Sequence, residues 1–212
     1  MDTTLLKKHV VQYIRNIGLD KPAYEKDRKE RADRSAYYQS WTPERLAAMT
    51  EDEFYEFMAK LWAMLIWGNK KYVVEKLIMN NTFPMLKKEL AALLWGNESI
   101  EKRWDAFRSA ITGMGPAMTS ELLCYVHPDQ CVLWNRRAYV GFHYLGVQNL
   151  PRYDYQLTGK KYWELAESAQ LIARELAAQG MEDTTLLAVD YFIWQELQVE
   201  EKLSRIHKKG AT

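Results

Sequence analysis

Cysteine is scarce in this chain. Cys124 and Cys131 are the only two in 212 residues, too few for a disulfide framework or a four-ligand zinc site, and no iron–sulfur spacing is present. That usage suits a reducing cytoplasm. Long apolar runs are also missing: no stretch approaches ~18 uncharged apolar residues, and the lysines near the N-terminus precede no apolar segment, so neither a membrane span nor a signal peptide is expected. Nor does one sign of charge prevail. Lysine and arginine number 29 against 28 acidic residues, a net +1, so any nucleic-acid partner must be held by a local basic face and not by global charge. His9, His127, His143 and His207 are too scattered for a metal site. Zinc deaminase signatures, Walker loops and nuclease carboxylate clusters are absent, and strand-like alternation is nearly so.

What remains is helical periodicity in a chain that is 48% hydrophobic, enough to bury a sizeable core. The class is all-α, read as a single unit over 1–212. Thr50 with Glu53 forms a capping box opening a helix from Glu51 to Ile66, and Gly68 falls where a helix stop belongs. Other helices are expected over Thr4–Ile17, Lys70–Met79, Phe83–Trp95, Ser99–Ile111, Ala117–Val126, Asn135–Leu145, Lys160–Ala178 and Thr184–Glu201. The segment 21–40 opens with KPAYEKDRKERADR, which reads either as a solvated helix or mobile connection, or as a contact to a DNA backbone. Leu145 to Gly159, with Pro151 and three tyrosines around Arg152 and Asp154, reads as a long loop able to line a cleft.

The most informative stretch is Ile111 to Val147. Gly113 and Gly115 permit a tight turn with close backbone approach, and Pro116 suits the first turn of a new helix whose free N–H groups face an anion. Residues 99–126 thus form a helix–hairpin–helix. Upstream, Ala63-Met64-Leu65-Ile66-Trp67-Gly68-Asn69 is echoed by Ala91-Ala92-Leu93-Leu94-Trp95-Gly96-Asn97. One pair does not make a solenoid. Its plain explanation is two helices ending alike, on a left-handed glycine with a tryptophan packed beneath.

The order of these pieces carries a resemblance. Gly113-Met114-Gly115 and a helix, then Val132-Leu133-Trp134-Asn135-Arg136-Arg137 and a helix closing on Leu145-Gly146-Val147, resemble the helix–hairpin–helix DNA glycosylases of the endonuclease III and 8-oxoguanine glycosylase type. Leu65-Ile66-Trp67-Gly68-Asn69, leading to Val74-Glu75-Lys76, is similar to that family's stretch in which a loop wedges into the opened duplex. Together these matches span about Leu61 to Val147. The chain is also similar to small domains associated with modified-cytosine restriction systems of bacteria, through Ser120-Glu121-Leu122-Leu123, Pro128 and Trp134-Asn135. The resemblance implies a two-lobed helical fold that binds double-stranded DNA, flips out a modified base and excises it. A modified cytosine of phage DNA is the implied target, with defence-system proteins as partners. It implies no cofactor beyond a structural monovalent cation at the hairpin.

The family's catalytic aspartate falls on Asn135 and the lysine of its bifunctional members on Ala117, so a Schiff-base lyase step is not expected. An amide can hold water or a base edge but cannot act as a general base. Asp190 ranks first as the missing carboxylate, because it interrupts the apolar run TTLLAVDYFIWQEL, where a charge needs a partner or a purpose. Glu121 reads as a dipole-compensating surface residue and Asp129 as a turn residue. Trp134, Tyr191, Trp194 and Trp67 are candidates for stacking on an extruded base. DNA holding is assigned to Gly113, Met114, Gly115, Ala117 and Met118 at the hairpin, to Arg136 and Arg137, and to Asn69, Lys70 and Lys71 beside the wedge. Three readings follow: a monofunctional DNA glycosylase, an inactive module of that fold which binds modified DNA for a partner nuclease or ATPase, or a helical interaction protein whose hairpin is only a turn.

Overall fold

Eleven α-helices follow one another through residues 1–198, the part of the chain that the structure, a computed structural model, describes. They are α1 (Thr3–Leu19), α2 (Lys21–Gln39), α3 (Pro43–Ala48), α4 (Glu51–Ala59), α5 (Lys70–Asn81), α6 (Phe83–Trp95), α7 (Ile100–Ala110), α8 (Pro116–Val126), α9 (Arg136–Tyr144), α10 (Gly159–Ala178) and α11 (Leu186–Glu196). Two short 3-10 turns, Trp62–Ile66 and Asp154–Gln156, complete them, and no strand occurs among the described residues. The all-α class is thereby observed. His207 and the end of the helix expected over Thr184–Glu201 lie outside the described residues.

The fold is organised around α8. Its sequence PAMTSELLCYV carries one charge, and a helix without a polar face has to be covered on all sides. Every residue from Met118 to Val126 is buried, Glu121 included. Each Leu-sized side chain so covered contributes ~1.5–3 kcal/mol, and Leu122, Leu123, Tyr125 and Val126 join the continuous core. The orphan carbonyls at the end of α8 find partners on α2: Ser35 Oγ donates to the Tyr125 carbonyl at 2.6 Å, and Gln39 Nε2 reaches the Val126 carbonyl at 3.3 Å. Tyr38 stacks on Tyr125 with ring centroids 4.9 Å apart.

Three expectations are corrected here. The charged segment is neither a mobile connection nor a fully solvated helix: α2 buries Tyr24, Arg31, Ser35 and Tyr38 along one face, a helical spacing hidden among salt-bridged neighbours. The single helix expected over Glu51–Ile66 is broken after Ala59, because the Glu121 carboxylate accepts the N–H groups of Trp62 at 2.6 Å and Ala63 at 2.9 Å and starts a separate 3-10 turn. Gly68 and Gly96 are not left-handed; among the described glycines only Gly113, Gly146 and Gly180 have positive φ. Gly96 is instead required by proximity, since a Cβ there would stand 2.4 Å from the Ala92 carbonyl oxygen. The short helix α3, capped by Thr42, has no counterpart in the sequence reading.

A glycine turn joins α7 and α8. Gly113 takes φ +96°, and a Cβ there would lie 3.0 Å from Leu77 Cδ2, so only glycine suits the turn. Gly115 has an ordinary extended φ of −73°; its smallness matters for approach, not for conformation. Asn81, buried at the end of α5, clamps the turn: its Nδ2 donates to the carbonyls of Leu77 and Thr112, both at 2.8 Å, and its Oδ1 accepts the Thr112 N–H at 2.7 Å.

Candidate functional site

A cleft of about 1050 Å³ opens where α2, α8, α9, α11, the first 3-10 turn and the loop before α10 converge. Its place follows from local structure. Ser120, buried on α8, accepts the Trp134 N–H at 2.8 Å and donates to the Trp134 carbonyl at 3.3 Å, which pins the segment entering α9. Asn135 is then the N-cap of α9, its Oδ1 accepting the Ala138 N–H at 3.0 Å. This arrangement brings the free first turn of α8, which has no side-chain cap, to the same rim as the first turn of α9. Two helix N-termini therefore present partial positive charge to one opening.

Of the residues singled out from sequence, Asp190, Asn135, Trp134, Tyr191, Trp194, Ala117, Arg136 and Arg137 all line the cleft. Gly113, Gly115 and Met118 flank it without lining it, and Met114 is buried. The hairpin carbonyls are already engaged: Thr112 by Asn81, Met114 by the Arg108 guanidinium, and Gly115 by the Thr119 N–H and hydroxyl. With a guanidinium on the Met114 carbonyl, the residues present do not fit a monovalent-cation cradle. Trp67 is 46% exposed outside the cleft. Asn69 caps α5 through the Tyr72 N–H, Lys70 donates to the Ala59 carbonyl at 3.2 Å, and Lys71 lies 3.9 Å from Glu75. Leu65 and Ile66, which precede Trp67, are exposed and line the cleft mouth. Asp129 is exposed in its turn and stays outside the cleft.

Two carboxyls dominate the chemistry. Asp190 sits on the α11 wall and is partly covered, and no side-chain hydrogen bond satisfies it among the described residues. Burial pushes its carboxyl up to about 7, against the opposing pull of Arg137 and Arg31. Glu121 is the correction to the surface reading: only 1% exposed, it faces the cleft from the middle of α8. Burial likewise raises it to about 7, its two backbone hydrogen bonds resisting and the Asp190 charge adding to the rise. A carboxyl titrating near neutrality in a dry wall is suited to exchange a proton with a bound ligand. Of the two, Asp190 is the better placed, since both oxygens of Glu121 are engaged by amides.

Comparison with models of known protein families, with curated proteins and with solved structures finds no match. Function must come from the cleft itself.

Its remaining wall is aromatic and cationic. Tyr191 and Trp194 meet edge to face with centroids 5.5 Å apart, and the Arg137 guanidinium lies 5.3 Å from the Trp194 ring. The sequence reading missed Arg31, Asp27 and Tyr139 as lining residues. The Tyr191 hydroxyl donates to Asp27, and Arg31 stands 4.0 Å over the Tyr191 ring. The signal for Arg31 was present in the spacing of Tyr24, Arg31, Ser35 and Tyr38 along one helical face. Among the described residues no group of acidic, histidine or cysteine side chains could hold a metal, and no helix is long and apolar enough to cross a membrane.

Proposed function

We propose that this protein is a monofunctional DNA glycosylase with a helix–hairpin–helix, which extrudes a modified base into the cleft and hydrolyses its N-glycosidic bond. A modified cytosine of phage DNA is the substrate class, in keeping with the resemblance of Ser120-Glu121-Leu122-Leu123 and Trp134-Asn135 to restriction-associated domains. The observation that carries the reading is the shared cleft: Asp190, Asn135, Trp134, Tyr191 and Trp194 line one cavity whose rim holds Arg136, Arg137 and the start of α8. Such a rim suits phosphates, and aromatic walls suit a flipped base. The exposed Leu65 and Ile66 at the mouth supply the apolar wedge that base extrusion needs.

In this reading the C1′–N bond breaks with its electron pair leaving on the base. Water adds to the sugar carbon, and ionised Asp190 takes the water's proton while its charge offsets the positive charge developing on the sugar. Asn135 holds the first turn of α9 and offers its amide N–H groups to the water or the base. No lysine occupies position 117, so the product is an intact abasic strand.

One observation favours the second reading, a module that binds modified DNA without cutting: the family's aspartate position is an asparagine whose oxygen is already committed to Ala138. A single experiment separates them. Purified protein is incubated with unmodified DNA and with phage DNA carrying modified cytosines, and released bases are sought by mass spectrometry alongside alkali-sensitive breaks. Release with alkali sensitivity supports the glycosylase; tight binding without release moves the chain to the binding module, and neither sinks both.

A further inference from the structure

Helix α2 is rich in charge, and most of that charge is internally matched. Arg28 pairs with Glu25 at 2.8 Å and Lys29 with Asp33 at 2.7 Å on its outer faces, and Arg34 pairs with Glu30 at 2.9 Å beside the cleft. Arg31 differs from all of them. It is 4% exposed, and its Nε, Nη1 and Nη2 atoms are buried without a hydrogen-bond partner. Among the described residues no carboxylate comes within salt-bridge distance of it. Its guanidinium stands over the face of Tyr191, 4.0 Å from the ring centroid, and its charge also acts on Asp190. The neighbouring carboxylate that might have served, Asp27, accepts the Tyr191 hydroxyl instead.

A buried guanidinium with its donors unmet is costly to a fold. Here the side chain lines the cleft while its donors stay covered, so a ligand brings acceptors to them by displacing that cover. The fork of N–H groups is planar and matches two oxygens held side by side, as in a carboxylate. Around it stand Tyr191 and Trp194, walls suited to a flat ring. Ligands that present only N–H donors to this end of the cleft would leave the fork unsatisfied and meet donor against donor, which is selection by exclusion.

We propose that Arg31 is the recognition residue for an oxyanion, a carboxylate or an equivalent pair of acceptor oxygens, carried on a planar ring that the cleft encloses. That the ring is an extruded nucleobase rests on the glycosylase reading; that the cleft takes a ring-borne oxyanion does not. The other source of an oxyanion is a DNA phosphate, and the test distinguishes the two.

The intact protein is titrated with 5-carboxyuracil, with thymine and with inorganic phosphate, following tryptophan fluorescence, since Trp62, Trp134 and Trp194 line the cleft. 5-Carboxyuracil should bind at least about tenfold tighter than thymine or phosphate. Arg31→Met should reduce it to the thymine level while circular dichroism shows the same helical fold as the parent. Arg31→Lys, which keeps the charge and loses the fork, should lose most of the preference too. Equal binding of 5-carboxyuracil and thymine would overturn the proposal. So would phosphate binding as tightly as 5-carboxyuracil, which assigns the fork to a phosphate, and so would an unaltered preference in Arg31→Lys. A parallel incubation with duplexes containing 5-carboxycytosine or 5-methylcytosine isolates the glycosylase reading: release from neither removes that reading and leaves the free-ring result standing.

Discussion

Replacing Glu121 by glutamine should make the protein's stability less sensitive to alkaline pH, although the side chain accepts two backbone hydrogen bonds. Two effects oppose one another here. The bonds to the Trp62 and Ala63 amides, at 2.6 and 2.9 Å, favour an ionised carboxylate, and losing such a bond to a buried donor costs ~1–3 kcal/mol. Burial acts the other way and prevails, since the carboxyl stands at about 7 in the folded chain against an ordinary 4.5. A group raised in the folded state contributes stability that is complete below its unfolded value and is lost as pH climbs through its folded value. The loss therefore runs from about pH 4.5 to about pH 7, and it amounts to roughly 3 kcal/mol. Neutral Glu121 can still accept at both oxygens, whereas a glutamine in its place turns an NH2 group toward one of the two amides. The variant should thus trail the parent by ~1–3 kcal/mol near pH 4.5 and gain on it by roughly 3 kcal/mol by pH 8. For a chain of this size that corresponds to ~6–12 °C. Urea unfolding at several pH values, read by tryptophan fluorescence, measures it directly. A variant that is less stable than the parent at pH 8, with the deficit growing as pH rises, would show that the amide bonds outweigh burial and refute the reasoning.

Other outcomes are expected with the same concreteness. Asp190→Asn should reduce base excision by ~10²–10⁴-fold while DNA binding persists; undiminished excision removes Asp190 from the mechanism. Because burial raises Asp190 to about 7 and the mechanism needs the ionised form, single-turnover excision should fall as pH drops below neutrality, and a flat profile between pH 6 and pH 8 would contradict that. Asn135→Ala should cost about 1 kcal/mol through loss of the α9 cap, seen as a lower urea midpoint, whereas Asn135→Asp should keep the cap. Gly159→Ala should unfold the chain most easily of all, since its Cβ would stand 2.0 Å from the Glu101 carbonyl oxygen and overpacking costs ~1–3 kcal/mol or more; a midpoint equal to the parent's would mean that α10 shifts freely against α7.

The helices that periodicity and capping predict are largely those that form, because each signal is local. Pro116 opens α8, Ser99 caps α7, and Thr50 with Glu53 makes its capping box. What stayed illegible depends on contacts from far along the chain. No local rule ends a helix at Ala59, because the cause is the carboxylate of Glu121. Glu121 itself reads as a surface acid when only its position near a helix start is weighed. The lack of any other charge in α8 was the better guide. Arg31 was masked by the charge of its neighbours, although its spacing from Tyr24, Ser35 and Tyr38 marks a buried face. Asp190 was legible for the opposite reason: an acid alone in an apolar run stands out, and it does line the cleft. The hairpin's clamp, Asn81, carries no signal at all until α5 and the turn are seen side by side.

That clamp makes α5 a gauge. One end of the helix begins just after the exposed Leu65-Ile66-Trp67 turn, and the other is fastened to the glycine hairpin through Asn81 and Thr112. Its 12 residues form a rod ~18 Å long that sets the distance between an apolar tip and the glycine turn. On the proposed glycosylase reading, DNA that touches both ends has to conform to that spacing. Inserting one residue into α5 would lengthen the rod by only ~1.5 Å but turn its ends by about 100° relative to each other, leaving both elements folded and out of register.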